Sequence, residues 1–397
     1  MSRPAITLYL HVHQPYRLRQ FSVFDISNKH DYFSGNGKQD NARIFHKIAN
    51  KSYRPMNDLL AHLLQNNPGF KLSLSFSGLF LEQAKEFAPD VLTDFQRLVA
   101  TGRVEILASP YHHSLAFFYS RDEFDRQIKL HTAKIEELFQ VKPRVLANTE
   151  LAYNDELAIW AQEHGYLGVL AEGWDTVLGW RSPNYVYRAA GTENVGLLLK
   201  NYRLSDDIAF RFSDRRWKDW PLTTEKYLSW LNDSYGQLIN LFMDYETFGE
   251  HQWRDSGIFN FFAEFVQCWI NEGGKFNTVS ESLRKNQPTS ELSMPRTVTW
   301  ADSERDLSAW NGNDLQKQAL KLLYDLEPRV LDTDNAQLIN DWRRLQASDQ
   351  LYYMCTKWAA DGDVHAYFSP YDSPYDAFLS YMNALRDIKW RIQNLPK

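Results

Sequence analysis

The chain has 397 residues and 44% hydrophobic content, enough for one large domain with a smaller companion or for two medium domains. Its 44 Lys and Arg against 50 Asp and Glu give a net charge of −6 without long single-sign blocks, so neither nucleic acid nor an anionic membrane surface is an expected partner. Only Cys268 and Cys355 are present, and no run approaches the roughly 18 apolar residues of a membrane helix or the pattern of a signal peptide, which predicts a soluble, cytoplasmic protein without a disulfide framework or thiolate zinc site.

Short apolar or β-branched runs recur along the first three quarters of the chain. They are Ile6–Val12, Phe70–Phe76, Val104–Ala108, Arg144–Ala147, Leu167–Ala171, Val195–Leu199 and Leu238–Met243, and each reads as a buried strand. Amphipathic segments at Tyr53–Gln65, Ala88–Ala100, Arg121–Phe139 and Glu156–His164 lie between several of them. This alternation predicts an α/β fold with a parallel sheet curled into a closed or nearly closed barrel, helices outside. After residue 290 the pattern turns helical, with apolar spacing over Leu315–Leu326, Ala336–Trp358 and Tyr375–Ile392. A barrel domain over 1–290 followed by an α-helical bundle domain over 291–397 is the expected organisation.

Most strand candidates run directly into a polar or aromatic cluster. These are His11-Val-His-Gln-Pro15, Ser109-Pro-Tyr-His-His-Ser114, Asn148-Thr-Glu-Leu-Ala-Tyr-Asn154, Glu172-Gly-Trp-Asp175 and Asp244-Tyr-Glu-Thr-Phe-Gly-Glu-His251. In a β/α barrel such ends converge on one face, where active sites are built. Glycosidic cleavage needs one carboxyl to protonate the leaving oxygen and another to attack the anomeric carbon or direct water at it. Glu150 and Asp244, each closing an apolar run, fit that pair; Glu246, Glu250 and Asp175 compete for the acid/base role. Burial and a nearby second carboxylate should raise the pKa of the acid.

His11 and His13 alternate along a strand and so face one side. With Asp244, His112 and His113 they could ligate a divalent ion in a metal-dependent amidohydrolase or deacetylase, but they also suit a sugar subsite, beside Tyr111, Tyr153 and Trp174 as stacking surfaces. Sugar contact is the preferred reading, with no metal and no cofactor.

The segments His11-Val-His-Gln-Pro15, Gly102-Arg-Val-Glu-Ile-Leu107, Asn148-Thr-Glu-Leu-Ala-Tyr153 and Met243-Asp-Tyr-Glu-Thr-Phe-Gly-Glu-His251 resemble the conserved regions of glycoside hydrolase family fifty-seven, most closely its α-amylase branch. Trp300-Ala-Asp-Ser-Glu-Arg-Asp-Leu-Ser-Ala-Trp-Asn311 and Ser348-Asp-Gln-Leu-Tyr-Tyr-Met-Cys-Thr-Lys357 extend the likeness over nearly the whole chain. The resemblance implies an incomplete seven-stranded TIM-like barrel with a C-terminal helical domain, and a retaining mechanism on α-1,4-glucans such as starch, glycogen or maltooligosaccharides. By position it implies Glu150 as nucleophile and Asp244 as general acid/base. It adds Glu105, Trp300, Asp306 and Trp310 to the substrate-binding set, beside His11, His13, Tyr111, His112, Tyr153, Trp174, Glu246 and His251. Tyr245 and Asn311 depart from residues common in the family. A 4-α-glucanotransferase or branching enzyme, which passes the same intermediate to a sugar hydroxyl, and a non-catalytic glucan-binding homologue are the other readings of that resemblance.

Overall fold

The computed structural model describes residues 3–357 and 367–395. A strand falls on each of the seven runs: β1 (Ala5–Val12), β2 (Leu72–Phe76), β3 (Val104–Ile106), β4 (Val145–Leu146), β5 (Gly168–Glu172), β7 (Gly196–Lys200) and β8 (Leu238–Asp244). Three short strands went unread in the sequence, β6 (Tyr187–Ala189), β9 (Phe276–Asn277) and β10 (Glu291–Leu292), because two or three residues carry no periodicity. One sheet runs β3-β2-β1-β8 with β9 also on β1, and the other runs β10-β6-β7-β5-β4. A parallel bridge between Ala108 and Leu146 joins β3 to β4. Near the β7–β8 boundary the Asn201 N–H donates to the Asn240 carbonyl at 2.9 Å. Pairing is parallel except between β6 and β7, so the result is a curled, mostly parallel sheet.

The period of two along each strand sorts side chains to two sides. On β1, Ile6, Leu8, Leu10 and Val12 join the large core shared with the surrounding helices, as do Leu72, Leu74 and Phe76 of β2. The opposite file is the interior of the curl. Tyr9, Leu107, Val145, Ala147, Leu170, Leu198, Leu238 and Phe242 form one cluster there, joined by Val279 from the helix Val279–Lys285. The interior is therefore a packed core, and polar residues in the same file emerge where packing stops.

Helices cover the outside at Arg54–Asn66, Pro89–Ala100, Arg121–Phe139 and Asp155–Glu163. Later come Asp314–Asp325, Ala336–Arg344, Ser348–Tyr352 and Pro374–Asn394. The expected helix Ala336–Trp358 is broken after Arg344, where the Ala347 N–H donates only to the Arg344 carbonyl and Ala347 bridges Ser114 as an isolated β-pair; Trp358 itself lies outside the described residues. A second apolar cluster unites these late helices with Leu18, Phe21 and Tyr32 of the segment following β1. Among the described residues no helix is long and apolar enough to cross a membrane.

Asp387, wholly buried on the last helix, fastens that segment: its carboxylate accepts from the Ser27 N–H at 2.7 Å and the Tyr32 hydroxyl at 2.5 Å, and pairs with His30 Nδ1 at 2.8 Å. Asp387→Ala leaves those groups without their shared partner and should cost about 2–4 kcal/mol, read as a lowered thermal midpoint. An unchanged midpoint would show that the segment is held by its apolar contacts alone.

Candidate active site

The interior file of β1 ends in His11 and continues to His13, and the matching file of β2 is Ser73, Ser75 and Ser77. Register places His11 beside Ser75 on one neighbour and beside Asp244 on the other. Each histidine is oriented by a serine of that file: His11 Nδ1 lies 2.7 Å from Ser75 Oγ, and His13 Nδ1 lies 2.7 Å from Ser77 Oγ. His113 completes a stack of three imidazoles, with ring centroids 4.0 Å from His13 and 4.9 Å from His11.

Glu150 follows β4 in a tight turn, and both Glu150 and Leu151 adopt left-handed backbone, φ 57° and 50°. Non-glycine residues in that region are strained, typically by about 1–3 kcal/mol each, and persist where neighbours over-determine them. Here the interior core holds Leu151, and the Trp300 N–H donates to the Glu150 carbonyl at 3.2 Å. The two carboxylate oxygens are each engaged: the Trp300 indole Nε1–H donates to Oε2 at 2.7 Å, and His113 Nε2 lies 3.0 Å from Oε1. His113 is itself left-handed at φ 51°, so both ends of that contact sit on strained backbone.

Asp244 ends β8. Burial raises its carboxyl to about 6, with the His251 charge opposing and the Glu150 charge reinforcing. Burial likewise raises Glu150 to about 7, against the Trp300 hydrogen bond. The hydroxyl of Tyr9, buried below and donating or accepting at Ser75 Oγ over 2.7 Å, is pushed up by burial and then by the charges of Asp244 and Glu150 together. Both carboxylates therefore lie within electrostatic reach of one phenol and of each other. Glu246 is driven to about 8 by burial and by Asp244, while its Oε1 accepts from the Tyr53 hydroxyl at 2.5 Å and the His13 N–H at 3.3 Å.

Two members of this centre lie outside the predicted substrate-binding set, His113 entering the sequence reading only as a possible metal ligand and Asp349 as no site residue at all. His113, rather than its neighbour His112, meets Glu150; His112 points to the other side of the loop, where its N–H donates to Gln127 Oε1 at 3.2 Å and Arg343 and Arg344 lie close. Asp349 arrives from the helix Ser348–Tyr352 and sits 2.9 Å from His13 Nε2. Burial acts to raise its carboxyl, yet the His13 charge and hydrogen bond outweigh that and hold it at about 2. Its signal lay in the Ser348-Asp349 segment, but no spacing in the sequence ties it to a histidine more than three hundred residues earlier.

The remaining predicted contacts divide. Trp300, His251 and Glu246 join the centre with His11 and His13. Glu105 does not: it accepts from Ser73 Oγ and from Ser280 at the start of the helix Val279–Lys285, deeper in the interior file. Tyr111 donates to Glu82 Oε1 at 3.0 Å and packs against Gly78, where any Cβ would collide with its ring. Tyr153 is fully buried in an outer cluster and Trp310 in the C-terminal one, so neither offers a face to a ligand. Asp306 is exposed and accepts from the Ser308 N–H at 2.8 Å, a local turn contact. Trp174 is half-buried at the start of a short helix, packed against the same outer cluster as Tyr153. Of the competing acids, Asp175 pairs with Arg203 and Glu250 with Lys47 and Lys51.

One nitrogen from each of His11, His13 and His113 lies within 4.8 Å of the others. A tetrahedral zinc ion needs ligand nitrogens roughly 3.4 Å apart with lone pairs converging, given bonds near 2.1 Å. The rings instead stack with interplanar angles of 18°, 21° and 28°, and both nitrogens of His13 already face Ser77 and Asp349. The present arrangement therefore does not converge three imidazole nitrogens on one ion.

Residues 7–295 match the sequence profile of Glycosyl hydrolase family 57. A protein of Methanocaldococcus jannaschii named "Putative alpha-amylase" is 40% identical over 409 aligned positions, covering 98% of this chain and 85% of that protein. The crystal structure of 4-alpha-glucanotransferase from Thermococcus litoralis superposes with a TM-score of 0.66 at 18% identity, over 88% of this chain, which spans 56% of that one. A GH57-type branching enzyme from Pyrococcus horikoshii superposes with a TM-score of 0.71 at 14% identity, over 99% of this chain and 95% of that one. At those identities the two structures speak to the fold alone, whereas the profile and the 40% identical relative decide the family. The chain belongs to glycosyl hydrolase family 57 and is a glycoside hydrolase.

Proposed function

We propose that the protein cleaves α-1,4-glucans with retention, Glu150 acting as nucleophile and Asp244 as general acid/base, on an incomplete seven-stranded barrel over 1–290 that carries a C-terminal helical domain over 291–397. The observation that carries this reading is the placing of two half-buried, mutually interacting carboxyls at the mouth of one interior file, one of them held by donors on both oxygens. Such a pair shares its first proton, and the apparent pKa values belong to the pair. In the free site Glu150, at about 7, holds the shared proton more firmly than Asp244, at about 6, so the proposed roles require the proton to pass to Asp244 when substrate binds, a shift that the donors on both Glu150 oxygens favour.

In the first step Asp244 gives that proton to the glycosidic oxygen while a Glu150 oxygen attacks the anomeric carbon, forming a glycosyl ester and releasing the leaving chain. In the second, Asp244 takes a proton from water, which attacks the anomeric carbon, breaks its bond to the Glu150 oxygen and frees Glu150. Trp300 and His113 fix the attacking carboxylate, and Ser77 and Asp349 fix the His13 ring against His113. Transfer to a sugar hydroxyl in place of water is a second outcome of the same intermediate. Product analysis on a defined maltooligosaccharide separates them: shorter sugars alone mark hydrolysis, longer ones mark transfer.

Glu150→Gln and Asp244→Asn should each lower kcat on soluble starch by roughly 10³-fold or more with the fold retained by circular dichroism. Near-normal turnover in either variant removes that residue from its role. The pH dependence of kcat/KM should be bell-shaped, with limbs displaced upward from the ordinary carboxylate range toward about 6 and about 7. Trp300→Phe deletes a donor that stabilises ionised Glu150, so its pKa rises and the limb near about 7 moves to higher pH, with kcat reduced roughly tenfold or more. A limb that stays in place contradicts the assignment of Trp300. Activity should survive exhaustive chelation; loss on metal removal with recovery on adding zinc would instead establish the histidine cluster as a metal centre.

A further inference from the structure

We propose that Trp253, Phe368 and Tyr367 form an aromatic platform that holds the leaving-group side of a glucan chain beyond Asp244, giving the enzyme a preference for long chains. The inference rests on Asp244 being the acid/base, because the group that receives its proton lies on its side of the cleft.

The loop after β8 carries Asp244 at one end and Trp253 at the other, and it is rigidly built. The N–H groups of Glu250 and His251 both donate to the Glu246 carbonyl, and Gly249 N–H donates to the Gln252 carbonyl at 2.9 Å. Gly249 has φ 108° and rests on the Lys51 backbone so closely that any Cβ would strike the Lys51 carbonyl. Glu250 then bridges Lys47 at 3.0 Å and Lys51 at 3.1 Å. The Lys51 ammonium in turn lies 5.2 Å from the Trp253 ring centroid, a cation–π contact that orients the indole while leaving the residue 61% exposed.

From the same loop His251, beside Asp244, meets the ring of Phe368 edge-on at 5.5 Å, and Phe368 meets Tyr367 edge-on at 5.1 Å. Phe368 and Tyr367 are 42% and 59% exposed. Single exposed aromatics need no explanation, but three around one Lys–Glu–Lys cluster, contiguous with the acid/base, form a surface. Its chemistry alternates flat apolar faces with charged hydrogen-bonding groups. That suits pyranose rings, which offer C–H faces for stacking and hydroxyls for the Lys47 and Lys51 ammonium groups that Glu250 holds in place. An apolar protein partner would bury those charges without replacing their water.

The test compares KM for maltoheptaose and maltotriose. Trp253→Ala and Phe368→Ala should raise the ratio of maltotriose-independent affinity loss, so that KM for maltoheptaose rises about 3- to 10-fold more than KM for maltotriose, while Trp253→Phe recovers most of it. Equal changes on both substrates, or none, overturn the platform. Titration calorimetry of maltoheptaose onto Glu150→Gln protein, with and without Trp253→Ala, reads the same surface without turnover. Weakened binding there with a wild-type chain that hydrolyses no glucan sinks the catalytic reading and keeps the platform; unchanged binding sinks the platform whatever the activity.

Discussion

The site depends on the parallel register between β1 and β2, which sets a file of serines against a file of histidines. Because side chains alternate, Ser75 and Ser77 face the interior together with His11 and His13, and each hydroxyl meets one imidazole at 2.7 Å. A slip of one residue would turn Leu74 and Phe76 inward and the serines out to the helices, losing both contacts and burying polar groups in the outer core. The same register sets Asp244 beside His11 on the other flank. Strand pairing, decided by apolar burial along Ile6–Val12, thus fixes the positions of groups that contribute nothing to that burial.

Around this frame, electrostatics and strain are arranged in opposition. Burial acts on Glu150, Asp244 and Glu246 alike and raises all three. What differs is the set of donors each carboxyl receives. Glu150 has one on each oxygen, from an indole that cannot accept and an imidazole on strained backbone, whereas Glu246 receives a phenol and a main-chain N–H and stays the most basic of the three. Asp349, equally enclosed but paired with His13, falls to about 2. Desolvation decides the three that rise, and only at Asp349, where a basic partner outweighs it, does the carboxyl fall.

The strand runs and the long amphipathic helices were legible because their periodicity is local: Arg121–Phe139 was bounded to the residue. The two- and three-residue strands β3, β4, β6, β9 and β10 are held by neighbours rather than by their own pattern, and of these the sequence shows only β3 and β4, through the longer apolar runs Val104–Ala108 and Arg144–Ala147. Site residues at strand ends were readable for the same local reason, as with His11, His13, Glu150 and Asp244. Residues delivered by long-range packing were not. Nothing along Tyr111-His112-His113 says which imidazole turns inward, since that follows from a left-handed backbone at His113. Nor does sequence separate Trp300, which reaches Glu150, from Trp310, which the helical core absorbs.

That last contrast shows how the late part of the chain enters the chemistry. Val298 pairs with Tyr153 in an isolated antiparallel bridge, which carries Trp300 to the carbonyl and carboxylate of Glu150 at once. Ala347 pairs with Ser114 in another, which brings Ser348 N–H onto the His113 carbonyl at 2.9 Å and Asp349 onto His13. Each bridge is only one residue pair, so its register must be held from outside: Val298 and Tyr153 sit in the apolar cluster on the sheet, whereas the segment after Ala347 is held through Leu345 and Leu351 by the helices that share the Leu18, Phe21 and Tyr32 cluster. Loosening those helices would therefore release Asp349 while the parallel sheet and Trp300 stayed in place. In such a molecule activity should be lost at a lower denaturant concentration than the sheet, because Asp349, which orients His13, is delivered by those helices and not by the sheet.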